Sequence, residues 1–216
     1  EIHPHLRCVY QKGGDIEGIY RTRKLELIAG NDSTITQYRE NNCEFQLDVE
    51  KVFFSPRLSF ERNRVANFSS LYSIKGIIWY MFCGVGPFFI QMAKKNPEAR
   101  FLATDANPTA IEYAKLNISK NKISNEINLN TQNLDEIVIN ANFKVYHHNI
   151  SRFIMNLPEL SLNYVKLLPY FMHDEGALVH IYQFNEKSDP VKDALDKFQY
   201  TLQEYNCSLK ELIFSG

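Results

Sequence analysis

The chain has 216 residues, 24 Lys+Arg against 25 Asp+Glu, and a formal net charge of −1, at 44% hydrophobic and 23% charged residues. This is ordinary globular composition, and near-neutrality excludes a global field for nucleic acid, leaving local patches to do any such binding. No apolar run approaches the ~18–20 residues of a membrane span, so no membrane partner is expected. The four cysteines, Cys8, Cys43, Cys83 and Cys207, are scattered without a CxxC spacing, which points away from a zinc site or disulfide framework and toward a reducing, intracellular compartment. The opening EIHPHLRCVY has no signal-peptide architecture, and a start without Met is expected of a fragment or a trimmed chain.

Residues 1–66 read as a small β-rich domain. Arg7, Lys12, Arg21, Arg23 and Lys24 make its first part locally basic, a pattern that a solvated face also gives. KLELIAG, TITQYRE and CEFQLDV each alternate polar and apolar residues, with NDS and NN turns between them, and predict a three-strand meander. SPRLSFERNR then passes from a loop into a helix near Phe60, with Arg57, Glu61, Arg62 and Arg64 grouped at the transition. The plain reading of that group is a solvated helix start with (i, i+3) charge pairs. The functional one uses Glu61 as a general base.

Residues 67–216 alternate strand and helix, which predicts an α/β, Rossmann-like doubly wound sheet. KGIIWYMF is a buried-type strand and PFFIQMAKKN a helix with Lys94 and Lys95 near its C-terminal end. ARFLATDA is the next strand. The helix NPTAIEYAKLNISKNK takes Asn107 as N-cap and Pro108 at its first position, with Ile111, Ala114, Leu116 and Ile118 as its apolar side. FKVYHHN and RFIMNL read as strands, LSLNYVKLLPYFM as a helix and ALVHIYQF as a strand. DPVKDALDKFQYTLQEY is an amphipathic helix with Val191, Leu195, Phe198, Leu202 and Tyr205 on one face. His147 and His148 are adjacent and would point to opposite faces of a strand, so no metal site is expected there.

The sharpest feature is YMFCGVGPFFI, residues 80–90. It sets Gly84-Val85-Gly86-Pro87 between a strand and a helix. Glycines let the backbone pass close to a ligand, and the following helix start offers N–H groups. Asp105 ends the next strand 19 residues after Gly86, where a carboxylate can accept from both ribose hydroxyls of a nucleoside. Phe89 stands where a dinucleotide fingerprint has its third glycine, and Pro87 removes an N–H that a diphosphate would use. The pattern points to a nucleoside without a diphosphate, such as S-adenosyl-L-methionine. Met155-Asn156-Leu157-Pro158 ends a later strand on the same carboxyl edge. The residue before Pro is extended, and the Asn156 amide can both donate to and accept from a planar base.

Together IYRTRKLELIAG, RENNCEFQLDVEKVFFSPRLSFER, MFCGVGPF, ATDANPTAIEYAKLNISKNK, FIMNLP and GALVHIYQF resemble the Trm5-type tRNA methyltransferases, in family order from about residue 14 to 190. The resemblance implies a β-rich domain ahead of a class I methyltransferase domain, S-adenosyl-L-methionine as cofactor, and transfer of a methyl group to N1 of guanosine 37 of tRNA. A further N-terminal tRNA-docking domain is expected to lie outside this sequence, and the C-terminus is expected to be truncated. By resemblance, Glu61 is the base for guanine N1–H, Arg21 steadies O6 and Asn156 holds the target base. The cofactor set is Arg57, Tyr80, Phe82, Gly84, Gly86, Asp105, Asn107, Asn149, Ile150 and Pro158. Two departures stand out. Tyr80 occupies the place of an acid that orients the cofactor's methionine end. Asn149 and Ile150 stand where Asp-Ala is common, with fewer residues than usual between the adenine-contacting strand and Asn-Leu-Pro, so that a loop is either lost or omitted from the sequence. Two other readings share the pattern: the wybutosine-pathway aminocarboxypropyl transferase, against which Glu61 and Arg21 together speak, and a catalytically silent RNA-binding relative, which Tyr80 favours. A cytoplasmic monomer is expected, with nuclear or mitochondrial pools in a eukaryote.

Overall fold

A computed structural model describes residues 6–71, 76–137, 140–184 and 189–205. The expected C-terminal truncation concerns residues 206–216, outside these. The first four strands form two separate hairpins and not a three-strand meander. β1 (Cys8–Glu17) pairs antiparallel with β2 (Thr22–Gly30), and β3 (Ile35–Glu40) with β4 (Cys43–Asp48). β1 escapes the sequence pattern because Gly13-Gly14 and bulges interrupt its alternation. The β3–β4 turn is Asn41-Asn42, with φ of 46° and 59°, the left-handed pair that matches hairpin twist and that asparagine tolerates.

β4 continues its hydrogen bonding onto side chains. From α3 (Pro108–Lys120) and its C-cap, Asn117 Oδ1 accepts from Gln46 N at 2.7 Å and Asn121 Oδ1 from Glu44 N at 2.9 Å. Their Nδ2 groups return bonds to the Gln46 and Glu44 carbonyls at 3.1 and 2.6 Å. Each primary amide presents the donor and acceptor of a peptide unit, so two asparagines stand in for a neighbouring strand. This reverses one expectation for α3. Asn117 is buried, whereas Leu116, read as part of its apolar side, is 38% exposed.

After a 3-10 turn at Pro56–Leu58, α1 (Ser59–Leu71) carries the hairpins into a five-stranded parallel sheet of order β7-β6-β5-β8-β9. Its strands are β5 (Ile77–Tyr80), β6 (Arg100–Asp105), β7 (Ile127–Thr131), β8 (Ile150–Met155) and β9 (Leu178–Ile181). One face packs Tyr80, Phe88, Phe89 and Phe101 under α2 (Pro87–Lys95), α3 and β4. The other buries Trp79, Phe153 and Phe171 with Phe198 and Leu202 of α5 (Pro190–Glu204). Of the expected α5 face, Val191 and Tyr205 are exposed. The α/β expectation with a Rossmann-like sheet holds.

Two local expectations do not, and one strand carries no sequence signal. That strand is β7, whose Asn-rich INLNT forms an edge and shows no apolar run. FKVYHHN folds as a 3-10 turn over Ala141–Tyr146, and His148 takes φ of 56°, so the opposite-face argument for the two histidines has no strand to rest on. LSLNYVKLLPYFM is a 3-10 segment, Ser161–Leu167, ending in a single turn α4, Leu168–Phe171. Pro169 has no N–H for the Val165 carbonyl, and Leu168 N takes that carbonyl in its place, which keeps the segment wound tightly.

Candidate active site

Parallel strands bring their carboxyl ends to one edge, and the strand order reverses at β5, between β6 and β8. Ligands of such sheets lie beyond that edge. The glycine turn leaves β5 there. Gly84 has φ of 52° and Gly86 of 90°, a region that favours glycine. A Cβ on Gly86 would also sit 2.8 Å from the Phe89 ring. Asp105, ending β6, closes the turn: Gly84 N–H donates to its Oδ2 at 2.7 Å and Asn107 N–H to its Oδ1 at 2.9 Å. Burial raises the Asp105 carboxyl above its usual range, and these two N–H bonds pull the other way. Each oxygen retains lone-pair capacity for a further donor, so glycine cradle and carboxylate fit a ribose. Asn107 is committed elsewhere. Its Oδ1 caps α3 at Thr109 N, 3.0 Å, and its Nδ2 donates to Lys51 O at 2.8 Å, so it braces this edge from behind.

Asn156 leaves β8 beside the turn. Its Nδ2 donates to the Tyr80 hydroxyl at 2.9 Å, and its Oδ1 is buried without a partner among the described residues. Leu157 and Pro158 follow in a bend held by Ser161, whose Oγ lies 3.1 Å from Leu157 N and 2.8 Å from Met155 O. Phe82 packs edge-on against Tyr164, centroids 5.3 Å apart. Arg57 lies exposed in the 3-10 turn before α1.

Glu61, in the first turn of α1, is gripped by Arg64. Nε and Nη2 of the arginine each lie 2.7 Å from one of its oxygens. The Tyr182 hydroxyl donates to Glu61 Oε1 at 2.5 Å. Burial and that bond to Glu61 push the Tyr182 phenol far up, so it stays a donor. Tyr182 N–H in turn donates to Met155 O at 3.1 Å, which ties Glu61 to the strand end that carries Asn156. Of the expected charge pairs, Glu61–Arg64 forms. Arg62 instead is buried, paired with Glu40 and donating to Ser55 O. Arg21 comes from the tip of the β1–β2 hairpin at φ of 55°. Its Nη2 lies 2.9 Å from Glu159 Oε1 and its Cζ 4.6 Å from the Phe53 ring centre. Glu159 directly follows Pro158, so Arg21 reaches the Asn-Leu-Pro bend from the other side.

Asn149 and Ile150 do not join this group. Ile150 pairs with Ile77, at the amino end of β5, and Ile77 N–H donates to Asn149 O. They lie at the opposite edge of the sheet from Gly84. The carboxyl-edge place after the third strand belongs to Gln132 and Asn133, which follow β7; Gln132 N–H donates to Asp105 O at 2.9 Å. The 3-10 turn at Ala141–Tyr146 lies between this place and Asn156. Tyr80 also departs from a cofactor contact, since its ring is 1% exposed within the core.

Sequence reasoning missed Tyr182 and Glu159, whose partners lie far away in the chain, and Ser161, whose partners Leu157 and Met155 lie close by. It also missed Arg152. This arginine is fully buried in β8 beneath Glu61's helix, donating through Nε to His180 Nε2 at 3.0 Å and through Nη2 to Val65 O at 3.1 Å. Burial lowers Arg152 to about 10. Burial, then the charges of Arg152 and Arg64, drive His180 well below its usual value, so it is a neutral acceptor. A charged residue inside the apolar run SRFIM was the available signal.

The TRM5/TYW2 methyltransferase domain model matches residues 36–210. The chain belongs to this family. Trm5b of Pyrococcus abyssi (strain GE5 / Orsay), a tRNA (guanine(37)-N(1))-methyltransferase, is 38% identical over 213 residues, 98% of this chain and 59% of that relative. The Trm5b of Methanocaldococcus jannaschii, of the same name, is 34% identical over 190 residues, 88% of this chain and 52% of the relative. The chain thus spans about half the length of these TRM5 relatives. The crystal structure of the Pyrococcus abyssi Trm5b gives a TM-score of 0.73 at 35% identity, covering 94% of this chain and 57% of that one. A complex of aTrm5 with tRNALeu gives 0.70 at 30%, covering 88% and 53%. TYW2 of Pyrococcus horikoshii shares the fold at 22% identity, TM-score 0.72 over 84% of this chain and 64% of that one.

Proposed function

We propose that this chain is the catalytic part of a tRNA (guanine37-N1)-methyltransferase. The observation that carries the reading is convergence: Arg21, Glu61 and Asn156 come from three separate elements to the one sheet edge that holds the glycine turn and Asp105. Relatives with that printed activity at 38% and 34% identity support it. Residues 1–66 would supply the substrate side and residues 67–216 the cofactor side. S-adenosyl-L-methionine, when bound, supplies the electrophilic methyl group. Gly84 and Gly86 would leave room for its nucleoside, and Asp105 would accept from the ribose hydroxyls.

The chain's own residues handle the guanine. Asn156 meets the base edge with its free amide end. Glu61 removes the N1 proton, exchanging its Tyr182 or Arg64 contact for the base as it does so. Loss of that proton leaves negative charge on O6, and Arg21, already poised with one N–H on Glu159, has further donors in its fork to meet it. Holding the base in line supplies much of the rate. The partner is tRNA carrying G37, the working unit a monomer. The free thiols of Cys8, Cys43 and Cys83 support a reducing compartment, the cytoplasm.

The aminocarboxypropyl transferase is the second reading, since the matching family model covers both names. Mass spectrometry of G37 after reaction separates them, because a methyl and an aminocarboxypropyl group differ greatly in mass. Product carrying one methyl supports the proposal. No detectable S-adenosyl-L-methionine binding by calorimetry would leave the silent relative.

A further inference from the structure

Tyr80 ends β5 at the sheet edge that carries the glycine turn. The Tyr80 ring stands edge-on to Phe88 and Phe89, centroids 5.5 and 6.3 Å away. Only the hydroxyl leaves this packing, and it meets Asn156 Nδ2 at 2.9 Å. The amide therefore has one end filled by the protein and the other buried without a partner among the described residues. Exchanging its oxygen and nitrogen changes nothing in this account. A phenol both donates and accepts, so the hydroxyl satisfies whichever end faces it, and the opposite end stays empty. Leaving a buried amide end unpaired is costly, and such an end calls for a specific explanation. A ligand that completes it is one. The backbone around it is already fixed, because Ser161 Oγ bridges Leu157 N and Met155 O. The remaining freedom of Asn156 is rotation of its side chain, and the Tyr80 hydroxyl removes it.

We propose that Tyr80 is a positioning residue: its hydroxyl holds the Asn156 amide so that the unpartnered end faces the target guanine. The proposal rests on the reading of Asn156 as the residue that holds the base. Binding of the cofactor should not depend on the hydroxyl, and capture of the base should.

Tyr80→Phe keeps the ring and its packing and removes the one atom in question. Three measurements are compared in the unmodified chain, Tyr80→Phe, Asn156→Ala and the double variant: single-turnover methylation of a G37 transcript below saturating RNA, the Kd for S-adenosylhomocysteine, and hydrogen exchange of the Asn156 side-chain amide by NMR, its signal identified by its loss in Asn156→Ala. We expect Tyr80→Phe to slow methylation about five- to tenfold, the range of one net hydrogen bond. The S-adenosylhomocysteine Kd should stay unchanged, and Asn156 amide exchange should quicken. The double variant should be no slower than Asn156→Ala. Additive losses, a loss that shows in the Kd, or unchanged amide exchange in Tyr80→Phe would each overturn the proposal. Should the unmodified chain leave G37 unmethylated, the functional reading fails, and amide exchange alone still decides whether Tyr80 holds Asn156.

Discussion

Glu61 meets three donors in this structure, two from Arg64 and one from Tyr182, yet the proposed chemistry needs it to take a proton. The arrangement makes it a base whose contacts are released only when the guanine replaces one of them. Glu61→Gln keeps the shape and removes the basicity, so single-turnover methylation should fall about 10²–10⁴-fold, and the ionisation in the pH–rate profile should vanish. Full activity in that variant would reassign the base. The Arg152–His180 pair beneath Glu61's helix gives a different pH signature. His180 is held neutral in the fold, with its proton affinity depressed by burial and by Arg152. The unfolded chain binds a proton near the ordinary histidine value of ~6.5, and the folded chain does not. Stability contributed by neutral His180 is therefore present above that value and drains as pH falls below it, by at most about 1.4 kcal/mol per pH unit. His180→Gln retains an acceptor for Arg152 Nε without titrating. Its melting temperature should fall less between pH 7 and pH 5 than that of the unmodified chain, and parallel curves would contradict the account.

At the scale of elements, the asparagine clamp joins the hairpins to the site. Asn117 serves Gln46 on β4 and also donates through Nδ2 to Val85 O, inside the glycine turn, at 3.0 Å. Asn117→Ala would leave these buried backbone groups unpaired, at a cost of about 1–3 kcal/mol for each group left dry. Urea unfolding should show a loss of about 3 kcal/mol, together with weaker S-adenosylhomocysteine binding because the glycine turn loses a tether. Leu116→Ala, one residue away and exposed, should change neither. The glycine turn itself predicts that Gly86→Ala is damaging twice over, through its φ of 90° and the contact with Phe89. A loss of about 1–3 kcal/mol by urea unfolding is expected. These elements differ in how far the sequence discloses them. The glycine turn, the Asn107 cap and Asp105 are legible because φ, capping and strand-to-helix succession are local properties. The clamp is not, because its partners lie 71 and 77 residues apart and an asparagine in mid-helix carries no sign of its target. Misreading the 3-10 turn at Ala141–Tyr146 as a strand is what moved the adenine-contact assignment to Asn149 and Ile150. Only strand register shows that Gln132 and Asn133, beyond β7, hold the carboxyl edge beside Asp105.

For the molecule as a whole, the parallel sheet is what turns a scattered set of residues into one site. Tyr182 and Glu61 are 121 residues apart and Arg21 and Glu159 138. No spacing in the chain announces either pair, while the sheet order brings both to the same edge. The hairpin tip contributes Arg21, α1 contributes Glu61, and β8 contributes Asn156. The β3–β4 hairpin is bound to α3 and, through Asn117, to the glycine turn, so a change that frees this hairpin should cost activity more than it costs the sheet. The proposed reaction is transfer of a methyl group at this edge to N1 of G37. Its most direct test incubates the chain with S-adenosyl-L-methionine and two tRNA transcripts that differ only in G37 or A37, with the product nucleosides read by mass spectrometry. The account predicts 1-methylguanosine from the G37 transcript and no methylated nucleoside from the A37 transcript. Equal methylation of both, or a product at another position of the base, would contradict it.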